Sequence, residues 1–151
     1  MKGRTDQTIP ADISGLKEIL DGIAILLEEQ GFPMELISDV QLATDEAVTN
    51  AILHGYDGKE GNVRVIAEAD DQEVTVIVED TALAFDPVAF VSRDVSKDGD
   101  DRPVGGLGLI LIRNVMDEVS YRREYGKNIL TMVKRRDSST PAECAGTTLP
   151  E

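Results

Sequence analysis

Three polar side chains recur at helical spacing in the stretch QLATDEAVTNAILHGY, which covers residues 41–56. Glu46, Asn50 and His54 stand four residues apart, and residues at this spacing share one face of an α-helix. The rest of the stretch is rich in apolar residues, and a polar group near a core costs free energy unless something binds it. The row therefore either faces a ligand or forms the solvated edge of a helix, and the spacing alone fits both interpretations.

A second polar cluster begins where a predicted strand ends. Asp80 closes the alternating run EVTVIVED, and a polar stretch without periodicity leads from there to the glycine cluster GGLG at residues 105–108. These glycines open a predicted helix, and the unpaired N–H groups of a helix N-terminus suit a phosphate. The cluster is neither a Walker loop nor a dinucleotide-binding fingerprint, because it lacks G-K-[ST] and does not directly follow a strand. An ordinary helix start and a turn-capping carboxylate would leave the same pattern.

Two amphipathic helices are predicted ahead of these strands. The first carries an apolar stripe over residues 16–27 and ends at Gly31 and Pro33. The second, which carries the polar row, starts near Met34 and stops at Gly55. The apolar positions of this second helix recur at steps of three or four: Leu36, Val40, Ala43, Ala47 and Ala51.

Alternating apolar and polar residues predict two β-hairpins. The first pairs NVRVIAEA with EVTVIVED, and the second pairs EVSYRREY with NILTMVKRR across a turn at residues 126–128. Residues 2–7 are polar and are expected to be frayed, followed by a short edge strand at residues 8–9. The order of these elements predicts an α+β fold, a two-layer sandwich with a mixed, mostly antiparallel sheet and helices on one face.

Composition and charge limit the possible functions. The 151 residues, 41% of them hydrophobic, suit one domain, predicted over residues 1–136 and followed by a disordered tail over 137–151. A formal net charge of −14 argues against nucleic acid and anionic membranes as partners. The N-terminus lacks the apolar region of a signal peptide, and the single cysteine, Cys144, fits a reducing compartment, so a cytoplasmic location is predicted.

Taken in this order, the motifs resemble those of the GHKL (Bergerat-fold) ATPases, and among them the anti-sigma-factor serine/threonine kinases. The segment DEAVTNAILHGY resembles the asparagine box of that branch, EDTALAFDP its first glycine box, and GGLGL with ILIRNVMDEV its second. The similarity covers about residues 5–135. Three boxes in the family's order are a specific signal, and they imply a histidine-kinase-like ATPase domain with the Bergerat fold.

The resemblance implies a role for each matching residue. Asn50 would ligate a Mg²⁺ that bridges the phosphates of ATP, Glu46 would take the proton from an attacking serine hydroxyl, and Asp80 would accept a hydrogen bond from the adenine amino group. His54 would be structural. The other expected nucleotide contacts are Ala82, Phe85, Gly105, Gly106, Leu107, Gly108 and Leu109. The basic residues that could offset phosphate charge are Lys97, Arg102 and Arg113.

Two positions depart from the first glycine box, because Ala82 and Ala84 stand where the family usually has glycine. At positive φ an alanine is disfavoured by about 1 kcal/mol, and at negative φ its methyl group could crowd the adenine.

Two functional hypotheses follow. The first is an ATP- and Mg²⁺-dependent protein serine kinase that acts on a STAS-type anti-anti-sigma protein, sequesters a sigma factor and forms a homodimer. The second is a regulatory domain that binds its partner with weakened or lost ATP binding. A histidine-kinase catalytic domain is disfavoured, because no phospho-accepting histidine helix precedes the motifs.

Overall fold

The computed structural model describes residues 2–56, 59–82 and 105–138, which form two layers. The helices are α1 (Leu16–Glu29), α2 (Met34–Asn50) and α3 (Gly105–Val115). The strands are β1 (Gly3–Pro10), β2 (Asn62–Ala69), β3 (Glu73–Asp80), β4 (Glu118–Glu124) and β5 (Lys127–Arg135). They form one sheet in the order β1-β2-β3-β5-β4, in which every neighbouring pair is antiparallel. The predicted α+β sandwich is confirmed.

The core lies between one face of the sheet and the helices. Helix α1 packs on β1 and β2, α2 packs on β3 and β5, and α3 packs on α2. The alternating residues of β2, β3 and β5 that face the helices are fully buried, as the strand pattern predicts: Val63, Val65, Val74, Val76 and Met132. No helix within the described ranges is long and apolar enough to span a bilayer.

The first strand is longer than the sequence suggested. Residues 3–10 pair with β2 along their whole length, so the expectation that residues 2–7 are frayed is wrong from residue 3 onward. Ion pairs across the strands account for the difference: Arg64 binds both carboxylate oxygens of Asp6 at 2.9 and 2.6 Å, and Arg4 binds Glu68 at 3.1 Å. The polar residues that resemble a frayed end therefore form the solvent-facing row of an edge strand.

The turn of the second hairpin also differs from the prediction. Tyr125 and Gly126 have φ values of 54° and 76°, and they form a two-residue turn between β4 and β5. The predicted turn at residues 126–128 is correct at Gly126 but extends too far, because Lys127 and Asn128 belong to β5, whose predicted run NILTMVKRR already begins at Asn128. The pairing of β5 with β3 places Asn128 directly opposite Asp80 in the sheet.

The end of the second helix changes its hydrogen-bond pattern. The α-helix ends at Asn50, and residues 51–56 continue it as a π-helical turn, whereas the sequence predicted one α-helix to Gly55. The wider turn means that the four-residue spacing between Asn50 and His54 no longer implies a shared face. The predicted end of the first helix is confirmed, since Gly31 follows α1 at a φ of 83°.

The C-terminal segment is described only in part. Residues 136–138 form a 3-10 turn after β5. The rest of the predicted tail, with Cys144, lies outside the described residues, so the boundary of the domain at residue 136 stays a prediction.

Candidate nucleotide site

Asn50 is buried at the end of α2. The residue is 9% exposed, its carboxamide makes no hydrogen bond within the described residues, and Nδ2 is completely buried. Leaving a buried amide unpaired costs about 1–3 kcal/mol, so this group lowers the stability of the protein without ligand. One turn earlier, Glu46 is half-buried and makes no hydrogen bond or ion pair to any described residue.

The Asn50 carboxamide fits a hard cation. With Nδ2 on the buried side, the oxygen is the atom left to face a ligand, and amide oxygens are among the ligands that Mg²⁺ accepts. In the described part of the chain, no group of three or more His, Cys, Asp or Glu side chains could hold a metal ion. A cation at Asn50 would therefore need most of its ligands from elsewhere, and Mg²⁺ commonly takes these from phosphate and water.

The glycine cluster lies in the first turn of α3. Gly105 starts the helix, so the first N–H groups of the cluster have no partner within it. The other end of α3 is fixed by a buried lysine: Lys134 Nζ donates to the Val115 carbonyl at 2.6 Å and lies 3.5 Å from Asp39 of α2. Lys134 thus holds α3 against α2, the helix that carries Glu46 and Asn50.

Not every expected phosphate-binding residue is placed at this helix N-terminus. Arg113 is exposed in the last turn of α3, roughly 10 Å along the axis from Gly106. Lys97 and Arg102 lie outside the described residues, as do Phe85 and Ala84. Leu107, Gly108 and Leu109 belong to α3, and their side chains, like that of His54, are not among those described.

Asp80 lies on the helix-facing side of the sheet within a hydrogen-bond network. Its Oδ1 accepts the Ala82 N–H at 2.9 Å and Asn128 Nδ2 at 2.8 Å. Asn128 is only 6% exposed, and its own Oδ1 accepts Tyr121 Oη at 2.5 Å and Arg123 Nη1 at 2.9 Å. The carboxylate is therefore held in one orientation at the end of β3.

Sequence reasoning missed Asn128, Tyr121 and Arg123. It placed Asn128 where the predicted turn meets the run NILTMVKRR and gave it no role in the site. The available signal was the alternation in β5, because Asn128, Leu130, Met132 and Lys134 occupy every second position and so share the inward face.

Ala82 is not strained. Among the described residues other than glycine, only Tyr125 has positive φ. The free-energy cost of an alanine at positive φ therefore does not arise at residue 82. The residue is 6% exposed, belongs to the core, and accepts a hydrogen bond on its carbonyl from Arg123 at 3.2 Å. Both sides of the Ala82 backbone are thus tied to the network around Asp80.

Tyr56 connects the two halves of the site. Its hydroxyl donates to the Asn62 carbonyl at 2.7 Å and accepts the Thr81 N–H at 2.9 Å. A methyl group at Gly61 would lie 2.2 Å from the tyrosine ring, so this backbone passes directly against it. The end of the segment that follows Asn50 is thereby fixed to the residue after Asp80.

Comparisons with known proteins agree with this arrangement. The profile of the histidine kinase-like ATPase domain family matches residues 9–134. An anti-sigma F factor from Clostridium acetobutylicum is 31% identical over 114 residues, which cover 76% of this chain and 80% of that protein. A serine-protein kinase RsbW from Bacillus cereus is 28% identical over 131 residues, which cover 84% of this chain and 82% of that protein.

A solved structure shares the fold. The RsbU and RsbW domains of Rv1364c from Mycobacterium tuberculosis align with a TM-score of 0.62 and 22% identity, over 88% of this chain and 32% of that one. The matched profile spans most of the sequence, including the helix of Glu46 and Asn50, the strand of Asp80 and the glycines of α3. The chain therefore belongs to the histidine kinase-like ATPase domain family.

Proposed function

We propose that this protein is an anti-sigma regulatory factor that uses ATP and Mg²⁺ to phosphorylate a serine of a STAS-type anti-anti-sigma protein. The observation that carries the proposal is the pair Glu46 and Asn50. Among the described residues, neither the Glu46 carboxylate nor the buried Asn50 carboxamide one turn later has a partner, and both lie on the helix that packs against the glycine-bearing α3. The names of the similar proteins, an anti-sigma F factor and a serine-protein kinase, support the same function.

The residues of the chain divide the work of phosphoryl transfer. Asp80 would accept a hydrogen bond from the adenine amino group, and the first backbone amides of α3 would donate to phosphate oxygens. Asn50 would ligate Mg²⁺, which neutralises phosphate charge when bound. Glu46 would take the proton from the serine hydroxyl while the serine oxygen attacks the γ-phosphorus of ATP and ADP leaves. This reaction depends mainly on positioning and charge, which these groups can supply.

The partners follow from the same proposal. A sigma factor would be bound through a surface other than the phosphate site, and the protein would act as a homodimer in the cytoplasm, where transcription takes place. Light scattering of the purified protein measures the dimer directly, since a monomer would have the mass of a single 16.4 kDa chain.

The enzyme hypothesis is tested by Glu46→Gln, with the neighbouring Asp45→Asn as the matched control. Asp45 accepts a hydrogen bond from Thr49 at 3.1 Å and so has a local structural partner, whereas Glu46 has none among the described residues. The assay measures phosphate transfer from labelled ATP to STAS-domain proteins of the source organism, alongside ATP affinity. We expect Glu46→Gln to lose about 10²–10⁴-fold in transfer rate with its ATP affinity kept, and Asp45→Asn to stay near the parent.

The alternative, a domain that binds partners without ATP, predicts a different result. In that case neither Glu46→Gln nor Asp45→Asn changes phosphate transfer or ATP affinity, because the parent itself binds no ATP at millimolar concentration. That outcome would remove the proposed kinase activity and leave partner capture as the function.

A further inference from the structure

The hydrogen bonds around Asn128 have a fixed direction. One end of the carboxamide faces two donors, Tyr121 Oη at 2.5 Å and Arg123 Nη1 at 2.9 Å. A guanidinium has no acceptor, so the atom facing it must be the amide oxygen. The other end faces two acceptors, Asp80 Oδ1 at 2.8 Å and the Ala82 carbonyl at 3.3 Å, and must be the NH₂ group. A flipped carboxamide would set donor against donor and acceptor against acceptor.

The consequence for Asp80 is that its Oδ1 faces only donors, which holds the carboxylate in one orientation. Oδ1 already receives the Ala82 N–H at 2.9 Å and the Asn128 NH₂ at 2.8 Å. Oδ2 makes no hydrogen bond to a described residue, which leaves this oxygen for a ligand. A fixed acceptor binds a donor on the ligand and disfavours another acceptor, because the two lone pairs then face each other.

We infer that Asn128, backed by Arg123 and Tyr121, is a positioning residue that holds the Asp80 carboxylate in the orientation in which Oδ2 accepts from a ligand, and thereby selects 6-amino over 6-oxo purine nucleotides. The inference rests on the proposed function, in which Asp80 meets the purine. Inosine triphosphate replaces the 6-amino group of ATP with a carbonyl and carries a hydrogen on N1. Asp80 could reach that hydrogen only if the base shifted within the site.

The experiment compares the affinities for ATP and inosine triphosphate, both with Mg²⁺, in the parent and in Asn128→Ala and Asn128→Asp. We expect the parent to prefer ATP by at least about 10-fold. Asn128→Ala should weaken ATP binding by about 10-fold and inosine triphosphate much less, so that the preference largely disappears. Asn128→Asp should lower the preference for ATP further, because two facing carboxyl groups share a proton that can be donated to the 6-oxo group. The exposed Asn114, in Asn114→Ala, is the matched control and should keep the parent's preference.

A milder variant keeps the test decisive if the Asn128 variants do not fold. Tyr121→Phe keeps the ring and removes one of the two donors to Asn128 Oδ1, so the preference for ATP should fall by about 3-fold. Folded variants that keep the parent's ratio of affinities would overturn the inference and leave the proposed function intact. A parent that binds neither nucleotide would overturn both.

Discussion

The two ends of the candidate site differ in how their polar groups are satisfied. At the proposed purine end, Asp80, Asn128, Tyr121 and Arg123 are joined by hydrogen bonds within the protein itself. At the proposed phosphate end, the Asn50 amide is buried with no partner among the described residues. Recognition of a base needs only donors and acceptors, which the protein can arrange in advance. Recognition of a metal and its phosphates needs charges that arrive with the ligand, so this end is incomplete without them.

The largest difference in stability is expected between two alanine substitutions, one at each end. Asn128→Ala removes a buried group with partners on both sides and should lower the free energy of unfolding by about 2–3 kcal/mol. Asn50→Ala removes a buried amide with no partner in the described part of the chain, and should change the free energy of unfolding by less than about 0.5 kcal/mol or raise it. Urea denaturation without nucleotide measures both. An Asn50→Ala variant as destabilised as Asn128→Ala would show that Asn50 is already satisfied in the free protein.

Tyr56 joins the two ends, and Tyr56→Phe tests that connection. The variant keeps the packing against Gly61 but leaves the Thr81 N–H and the Asn62 carbonyl without their partner. We expect a loss of about 1–2 kcal/mol in stability and a weaker affinity for ATP, because residues 81–82 are then held less firmly. Tyr125→Phe, at a residue 96% exposed, is the control and should change neither quantity. Unchanged affinity in Tyr56→Phe would mean that the two ends are positioned independently.

Ala82→Gly tests whether the departure from the family's glycine box weakens the purine end. The backbone at residue 82 is not at positive φ, so glycine relieves no strain there. The variant loses a buried methyl group and gains freedom in the unfolded chain, which should cost about 1 kcal/mol of stability. Calorimetry should detect no gain in ATP affinity. A clear gain would show that the methyl group crowds the base.

The smallest effect is expected on the outer face of the sheet, away from both ends. The Arg64 guanidinium lowers the pKa of Asp6 below its ordinary value of 3.8. The native state therefore binds this proton less readily than the unfolded chain. The stabilisation is fully present above the unfolded pKa and is lost as the pH falls through the lower folded pKa. Asp6→Asn should flatten the acid limb of a stability profile below about pH 4, and salt should shrink the difference because the pair is exposed. An acid limb identical to the parent's would show that the pair contributes nothing.

The sequence predicts the elements and the ends of the site better than the contacts between them. Periodicity places α1, α2 and both hairpins, because burial on one face leaves a regular apolar pattern. The motifs also indicate Glu46, Asn50 and Asp80 as candidates. The π-helical turn after Asn50 leaves no such pattern, since its residues are as apolar as those of an ordinary helix.

The missed residues share a physical cause. The predicted hairpin turn starts one residue too late, because Gly126 was grouped with Lys127 and Asn128 and not with Tyr125, which has positive φ. Asn128 was thus assigned both to the turn and to the first position of the run NILTMVKRR, and nothing in the sequence showed that it stands opposite Asp80. Pairing across strands is a long-range property, and a one-strand pattern does not reveal which residue stands opposite another.

The most direct test of whether Asn50 and Asp80 bind the same nucleotide is to titrate the protein with ATP twice, once in the presence of Mg²⁺ and once in the presence of a chelator. In the parent, Mg²⁺ should strengthen ATP binding by at least about 10-fold. Asn50→Ala should lose this enhancement and keep the affinity measured in chelator, whereas Asp80→Ala should weaken binding under both conditions. An Asn50→Ala variant that keeps the full Mg²⁺ enhancement, or an Asp80→Ala variant that binds like the parent, would contradict a site that spans these two residues.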